Sequence, residues 1–370
     1  HQEALEHFQR AGELDPSYLA APLRVMALAS TRFQFRQQYD SILSFLETSR
    51  HRMTRYQRHY YDGIRLSAEG QQELAYREFL AMAEISPLHA ASGLTEMALM
   101  TNHIETAIRA AGWLELGDGG FHESFVDFWP GYWSMYTYAL HLGGQYEKQL
   151  ETALEWRERF PASTYSPVQS EAYARVGLGR LEDLDAFVAD WRSARPPRLQ
   201  AIWDLADELW VHGHRNKARA ILEEEVRRFE TDSAYMGRFN NQAMVLHRLG
   251  RDQEAHRLWE TEINLDRPDP WPWGVARIGF SAALTGDTAQ AREMERLLMS
   301  LPEPQQPYTP FLQAKIAAAL GEKDRAVRIL TEWAGRGAVL FWVNNLHRDF
   351  TFQSLLGDYP PFQELMRPKG

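Results

Sequence analysis

A glycine that recurs about every 35 residues constrains this chain more than any other feature of its sequence. The intervals of 35, 34, 37, 36 and 35 residues separate Gly144, Gly179, Gly213, Gly250, Gly286 and Gly321. An alanine follows most of these glycines at the fifth position, as Ala255 follows Gly250. Gly70 and Ala75 form an earlier pair, 74 residues before Gly144, which leaves room for one less regular unit between them. Such a period is typical of a repeat array, so we expect a stack of similar units.

Each unit reads as two helices joined by a tight turn. Glycine supplies the positive φ that ends the first helix, and a small residue early in the second lets the two helices approach. In the second helix, Ala75, Phe79 and Met82 follow the spacing i, i+4, i+7 and give it one apolar face. Prolines such as Pro87 and Pro161 then end several second helices. The pattern predicts an all-α chain.

The repeated unit resembles the tetratricopeptide repeat (TPR) family, whose second helix carries alanine, an aromatic residue, alanine and proline. The residues that match are Ala4, Phe8, Ala11 and Pro16 in a first half-unit, then Gly63, Ala75, Phe79 and Pro87. The residues that depart from the last alanine of the motif are Met82, Trp191, Glu225, Glu262 and Trp333. The resemblance implies an α-solenoid, a right-handed superhelix of about nine to ten repeats over residues 1–336, in which the first helices line a concave groove.

The last stretch, residues 337–370, lacks the glycine–alanine punctuation but keeps many apolar residues. Because a terminal repeat has one unpaired face, we interpret this stretch as a C-terminal cap. It also resembles the ending of TPR regions in bacterial eukaryotic-like serine/threonine kinases and related signalling regulators. The residues that carry this resemblance are Asp349, Phe352, Leu355, Tyr359, Pro360, Pro361, Phe362 and Leu365. In such proteins a kinase precedes the repeats, and since His1 falls inside a half-unit we expect a segment of something longer or a processed form.

Composition limits the partners. The chain has no cysteine, which excludes disulfides and cysteine-ligated zinc and permits either a cytoplasmic or an extracytoplasmic location. The net charge of −10 argues against nucleic acid or an anionic membrane as the main partner. No apolar run approaches the ~20 residues of a membrane helix.

No residue pattern indicates catalysis, so we predict no catalytic residues, no cofactor and no metal, and hence no enzyme within these residues. Gly117, Gly119 and Gly120 are not followed by the Lys-Ser/Thr of a phosphate-binding loop. Kinase motifs are absent. His212 and His214 form a candidate metal pair, but they flank the turn residue Gly213, and we see no carboxylate at ligand spacing beside them. We therefore interpret both as exposed turn residues.

Binding is the class of function that the repeat favours. Aromatic clusters at 128–138 and 271–273 cannot all face one core, because neighbours in a helix point about 100° apart, so we expect some to pack between repeats and some to reach the groove. Some TPR proteins bind a peptide C-terminus with Lys, Asn and Arg. Asn241 and Arg277 fall near such positions, whereas other residue types replace the rest, which favours a polar groove with a different ligand. The candidate groove residues are Trp203, Asp207, Asn240, Asn241, Met244, Trp273 and Arg277.

The sequence leaves three functions open. The first is a protein–protein interaction scaffold that binds a peptide or partner protein in the groove. The second is a sensory or substrate-recruiting module of a larger bacterial signalling protein, a kinase or regulator. The third is a structural subunit of a multiprotein assembly that uses its aromatic patches as permanent contacts.

Overall fold

The structure is a computed structural model that describes residues 6–7, 10–12, 14–15, 18–30, 36–115, 130–161, 166–194, 196–232, 235, 239–265, 270–301, 308–335 and 346–369. Within these ranges the chain forms helices joined by turns and no β-strand, so the prediction of an all-α chain is confirmed. None of the described helices is long and apolar enough to cross a membrane. The glycines at 117–120, Phe128, Trp129 and most of the first half-unit lie outside the described residues.

The chain divides into two compact units, which differs from the predicted division at residue 336. Unit 1 comprises residues 1–136, 334–340 and 369–370, and unit 2 comprises residues 137–333 and 341–368.

Unit 1 consists of consecutive helices, of which neighbours pack as hairpins. Its helices are Ala20–Ser30 (α1), Arg36–Thr48 (α2), Arg55–Ala68 (α3), Gln72–Ile85 (α4), Pro87–Met100 (α5) and Ile104–Glu115 (α6), with a 3₁₀ turn at Arg50–Arg52. The helix Pro130–Leu142 (α7) begins in unit 1 and ends in unit 2. The side chain of Phe79 on α4 lies between Gly63 of α3 and Gly93 of α5.

Unit 2 continues the pattern. Its further helices are Tyr146–Arg159 (α8), Ser166–Gly177 (α9), Leu184–Ser193 (α10), Leu199–Val211 (α11), Arg215–Thr231 (α12), Phe239–Arg248 (α13), Asp252–Glu262 (α14), Pro272–Thr285 (α15), Thr288–Ser300 (α16), Thr309–Ala319 (α17), Lys323–Gly335 (α18), Phe350–Leu356 (α19) and Pro360–Met366 (α20). The pairs α11/α12, α13/α14 and α15/α16 pack as hairpins, and the first helices α15 and α17 also pack on each other. The first helices therefore lie side by side, and one face of each contributes to a shared surface.

The seven punctuating glycines all adopt positive φ, between 70° and 93°. At Gly213 the turn is closed by two backbone bonds, from Gly213 N–H to the Trp210 carbonyl (3.1 Å) and from His214 N–H to the Leu209 carbonyl (2.8 Å). This arrangement satisfies carbonyls that the helix end leaves without partners. Asn102, with φ of 64°, takes the same place after α5. Asparagine tolerates this conformation, which explains the missing glycine between positions 70 and 144.

The alanines that follow the turns are buried, as predicted for close helix packing. Ala75, Ala218, Ala255, Ala291 and Ala326 are all at most 1% exposed. Where the repeat places Gln149 instead, that side chain is also buried, at 1% exposed. Its amide accepts a hydrogen bond from His141 Nδ1 (3.0 Å), so a polar contact replaces the small-residue packing at this position.

The predicted C-terminal cap contacts more than the last hairpin. Phe352 packs on Phe311 of α17, with ring centroids 5.3 Å apart. Phe350 packs on Trp210 of α11 (5.1 Å), and Thr351 Oγ1 lies 3.1 Å from Nε2 of His247 on α13. The described part of this stretch within unit 2, residues 346–368, is called here the C-terminal segment. It lies across the first helices of several hairpins and forms part of the surface they share.

A substitution at Gly93 tests the packing of unit 1. A Cβ at Gly93 would lie 2.3 Å from Phe79 Cε1, and Phe79 is only 5% exposed. We therefore expect Gly93→Ala to lower the free energy of unfolding by about 1–3 kcal/mol, as overpacking does. Chemical denaturation measures the change.

Gly112→Ala is the matched control, because α6 leaves open space around Gly112. It should stabilise the protein by roughly 0.5–1 kcal/mol through helix propensity alone. The double substitution Gly93→Ala with Phe79→Leu should recover part of the loss. Equal stability of Gly93→Ala and the wild type would contradict the packing described.

Candidate ligand-binding site

A pocket of about 520 Å³ opens on the first helices of unit 2. Helices α11, α13, α15 and α17 each present residues spaced three or four apart, which places them on one face of each helix. The C-terminal segment supplies a further wall. The lining residues are Gln200, Asp204 and Asp207 of α11, Met244, His247 and Arg248 of α13, Trp271, Trp273, Ala276, Arg277 and Phe280 around α15, Tyr308, Phe311, Leu312, Lys315 and Trp333 from α17 and its surroundings, and Arg348, Asp349, Phe350 and Thr351 of the C-terminal segment.

One side of the pocket is aromatic. The ring of Trp273 lies 6.0 Å from that of Tyr308 and 5.8 Å from that of Phe311, centroid to centroid. Trp271 and Tyr308 keep 49% and 43% of their surface exposed, so this side remains open to solvent. Half-exposed aromatic side chains of this kind make good anchors for a ligand. In the other aromatic cluster of the sequence, Tyr132 and Trp133 are buried.

The pocket also contains charged residues, and most of their charges are paired. Arg248 donates two hydrogen bonds to Asp207, of 2.7 and 2.6 Å, and both side chains are buried. Burial raises the pKa of Asp207 to about 6, although the Arg248 guanidinium opposes the rise. Lys315 Nζ lies 2.6 Å from Asp349. Within each pair the two charges neutralise each other.

The C-terminal segment adds a third cation. Arg348 Nη1 donates to the Tyr173 hydroxyl at 2.7 Å, and its Nη2 lies 3.8 Å from the Asp204 carboxylate. The lining therefore contains four cations and three carboxylates, and each carboxylate has a partner.

Arg277 is the cation in excess. Its Nη1 donates to Asn240 Oδ1 at 2.8 Å, and its guanidinium lies 4.7 Å from the centre of the Trp271 ring. Among the residues that the structure describes, no carboxylate lies within 4.0 Å of it. Burial, reinforced by the nearby Arg248, lowers the pKa of Arg277 to about 10. A half-buried guanidinium held only by a neutral acceptor and a ring favours an anion beside it.

The candidate groove residues fall into two groups. Asp207, Met244, Trp273 and Arg277 line the pocket. Trp203, Asn240 and Asn241 do not. Trp203 is 5% exposed, with the Arg248 guanidinium 5.8 Å above its ring. Asn240 supports the site indirectly, since its Oδ1 accepts from both Arg277 and Trp259 Nε1.

Sequence reasoning missed Arg248, Lys315 and the contribution of the C-terminal segment. Lys315 is the one charged residue of α17, among mostly apolar neighbours, and that isolation is a signal of a buried function. The partners of the segment lie far away in the sequence, and no local pattern indicates them.

The interpretation of His212 as an exposed turn residue beside no carboxylate is wrong. Its side chain is 15% exposed, and its Nε2 lies 2.9 Å from Glu208 Oε1. Glu208 precedes it by four residues, which places both on one face of α11. His214 makes no such contact among the described residues.

No protein-family model matches this chain, and no curated protein matches it significantly. The TPR resemblance therefore stays a prediction.

Breaking the buried pair tests the charged residues of the pocket. Arg248→Met leaves the Asp207 carboxylate buried without its partner, which should lower the free energy of unfolding by about 3–5 kcal/mol. Urea denaturation measures the loss. The double substitution Arg248→Met with Asp207→Leu should restore most of the stability, because no charge is then stranded. A loss below about 1 kcal/mol in the single variant would contradict the buried geometry.

Proposed function

We propose that this chain is a protein-interaction module whose unit 2 pocket binds an acidic peptide segment of a partner protein. The observation that carries the proposal is Arg277, a half-buried cation on the pocket wall whose described polar partner is the neutral amide of Asn240. A carboxylate of the ligand would form charge-assisted hydrogen bonds with it. It would also relieve the unfavourable burial of an unpaired charge.

The aromatic side of the pocket supports a second requirement on the ligand. Trp271, Trp273 and Tyr308 offer flat apolar surface beside Arg277. A ligand that buries an apolar or aromatic side chain there would gain about 25 cal/mol per Å² of apolar surface removed from water. The preferred ligand is therefore a peptide with a carboxylate close to a bulky apolar side chain. A volume of about 520 Å³ accommodates a few residues of such a peptide.

A finer proposal concerns the architecture. We infer that the hairpins are TPR-like repeats of an α-solenoid, about nine to ten in number, because successive hairpins share a positive-φ glycine turn and a buried alanine. In that arrangement binding occurs on the first helices, where the pocket lies. The role is binding rather than catalysis, since all three lining carboxylates pair with lining cations and serve to hold the walls together.

Arg277→Gln is the decisive variant. Peptides selected from a displayed random library on the wild-type protein should carry Asp, Glu or a free C-terminus next to an apolar residue. Their affinity for Arg277→Gln should fall by about 10- to 100-fold, since hydrogen bonds to charged groups contribute roughly 1.5–3 kcal/mol. Fluorescence anisotropy with each peptide and its amidated or Asn/Gln counterpart measures the contribution of the carboxylate.

The control is Arg296→Gln. Arg296 is exposed on α16, and within the described part of the chain its contact is a long one, of 3.4 Å, to a backbone carbonyl. Its removal should leave affinity unchanged, and Arg277→Gln should unfold at no lower temperature than the wild type, since it removes an unpaired charge. Equal peptide affinity in Arg277→Gln and the wild type would sink the proposal. A marked drop in its unfolding temperature would instead assign Arg277 a structural role.

A further inference from the structure

A second cluster in unit 2 lies outside the pocket and consists of three histidines around one carboxylate. Nε2 of His141 and of His212 each lie 2.9 Å from Glu208 Oε1, and Nε2 of His347 lies 3.8 Å from it. The four atoms all lie within 4.8 Å of one another. His141 lies in the last turn of α7, Glu208 lies in the last turn of α11, His212 directly follows α11, and His347 lies in the C-terminal segment. Three separate parts of unit 2 thus meet at one point.

The cluster is buried. The side chains of His141 and Glu208 are only 2% and 1% exposed, and those of His212 and His347 are 15% and 24% exposed. All four facing atoms nevertheless lack a hydrogen-bond partner of acceptable geometry. Buried polar atoms are almost always hydrogen-bonded, so four atoms without a partner at one point require an explanation. Two of the three nitrogens lie 2.9 Å from the carboxylate oxygen, yet none meets the geometry of a hydrogen bond to it.

The position of one proton on His141 is fixed from its other side. His141 Nδ1 lies 3.0 Å from Gln149 Oε1, and Gln149 Nε2 donates to the Ser170 carbonyl at 3.2 Å. The carbonyl needs a donor, so the amide presents its oxygen to the histidine, and Nδ1 must carry a proton. In the neutral ring Nε2 then directs its lone pair into the cluster. Such a bond from Nδ1 to a fixed acceptor is how proteins orient a metal-binding imidazole.

Two lone pairs cannot face each other at 2.9 Å without a positive charge between them. A proton is one such charge, and it would place an N–H···O bond along the line between the atoms. A metal ion is the other, and it would draw all four lone pairs toward a common centre. All four unpartnered atoms lie within 4.8 Å of one another, and this closeness favours the metal ion.

We propose that His141, Glu208, His212 and His347 bind one divalent transition-metal ion, zinc fitting this ligand set best, which holds the C-terminal segment on unit 2. Imidazole nitrogens with a carboxylate suit Zn²⁺, whereas Mg²⁺ and Ca²⁺ prefer oxygen ligands. At zinc–ligand distances of about 2.0–2.2 Å, tetrahedral ligand atoms stand about 3.3 Å apart, within the range of the three nitrogen–oxygen distances here. Four protein ligands are typical of a structural site.

Metal binding at His347 also affects the pocket. The four residues that directly follow His347 line the pocket, and they are Arg348, Asp349, Phe350 and Thr351. An ion bound to His347 fixes the position of the backbone that carries this wall. Metal binding is therefore expected to order the wall before any peptide arrives. The metal site does not depend on the peptide proposal, and the two can fail separately.

The first experiment titrates chelator-treated protein with Zn²⁺ by calorimetry, and with Co²⁺ as an optical probe. We expect one ion per chain and the intense visible absorption of tetrahedral Co²⁺. His212→Ala and His347→Ala should each weaken binding by on the order of 100-fold or more, since even loss of a partner behind the ligands costs about 10- to 100-fold. Gln149→Leu removes such a partner of His141. It should weaken Zn²⁺ binding by about 10- to 100-fold.

His214→Ala is the matched control, because His214 lies two residues from His212 outside the cluster. The chain has 13 histidines, so weak binding at other sites has to be separated from the proposed one. Circular dichroism of each metal-free variant checks that it is folded, and His347→Asn serves as a second variant at the most exposed ligand. No stoichiometric binding, or binding that survives loss of both His212 and His347, overturns the metal site and leaves a proton-bridged cluster.

Limited trypsin digestion tests the second half of the proposal. Cleavage after Arg348 should slow when Zn²⁺ is added to the wild type, and the ion should have no effect in His212→Ala. That variant keeps His347 and Arg348, so any difference from the wild type reports the effect of the bound ion on cleavage. Zinc binding without protection at Arg348 would overturn the role in holding the segment.

Discussion

The positive-φ turn is the constraint on which the rest of unit 2 depends. It reverses the chain within two residues, so each second helix returns along the first. The first helices are then left to pack on one another, and their exposed faces combine into one surface. Met244, Trp273, Arg277 and Lys315 come from three different hairpins and meet only because the turns are so alike. The same turns carry no chemistry themselves, and the glycines could not be replaced without strain.

The surface made in this way is held together by polar contacts as much as by apolar ones. Arg248 and Asp207 link α13 to α11, and Lys315 and Asp349 link α17 to the C-terminal segment. Buried ion pairs contribute little net stability over apolar residues of the same size. They are directional, however, and a directional contact fixes where a segment lies along a helix. The aromatic contacts of Phe350 and Phe352 supply the apolar part of the attachment.

The sequence predicts the local part of this structure well and the long-range part poorly. Gly213 predicts a turn and Ala218 predicts a close helix contact, because each depends on residues nearby in the sequence. The turn at Asn102 is not predicted in the same way, since asparagine adopts positive φ only in some contexts. Asn240 and Asn241 are indistinguishable in sequence, but successive helical residues point about 100° apart, and Asn240 is the one that reaches Arg277. His347 meets Glu208 across 139 positions, and no periodicity records such a contact.

Departures from the repeat carry the most functional information. Gln149 stands where the other units place a small residue, and its amide orients His141 toward the histidine cluster. Lys315 interrupts an apolar helix face and pairs with the C-terminal segment. Both substitutions give up apolar packing for a directed polar contact. Lys315 acts directly on the placement of residues 346–352, on which the pocket wall depends, and Gln149 acts on it through His141 in the proposed metal site. If metal and peptide each bind the state in which this segment is docked, then each must raise the affinity for the other, because coupling between two sites is reciprocal.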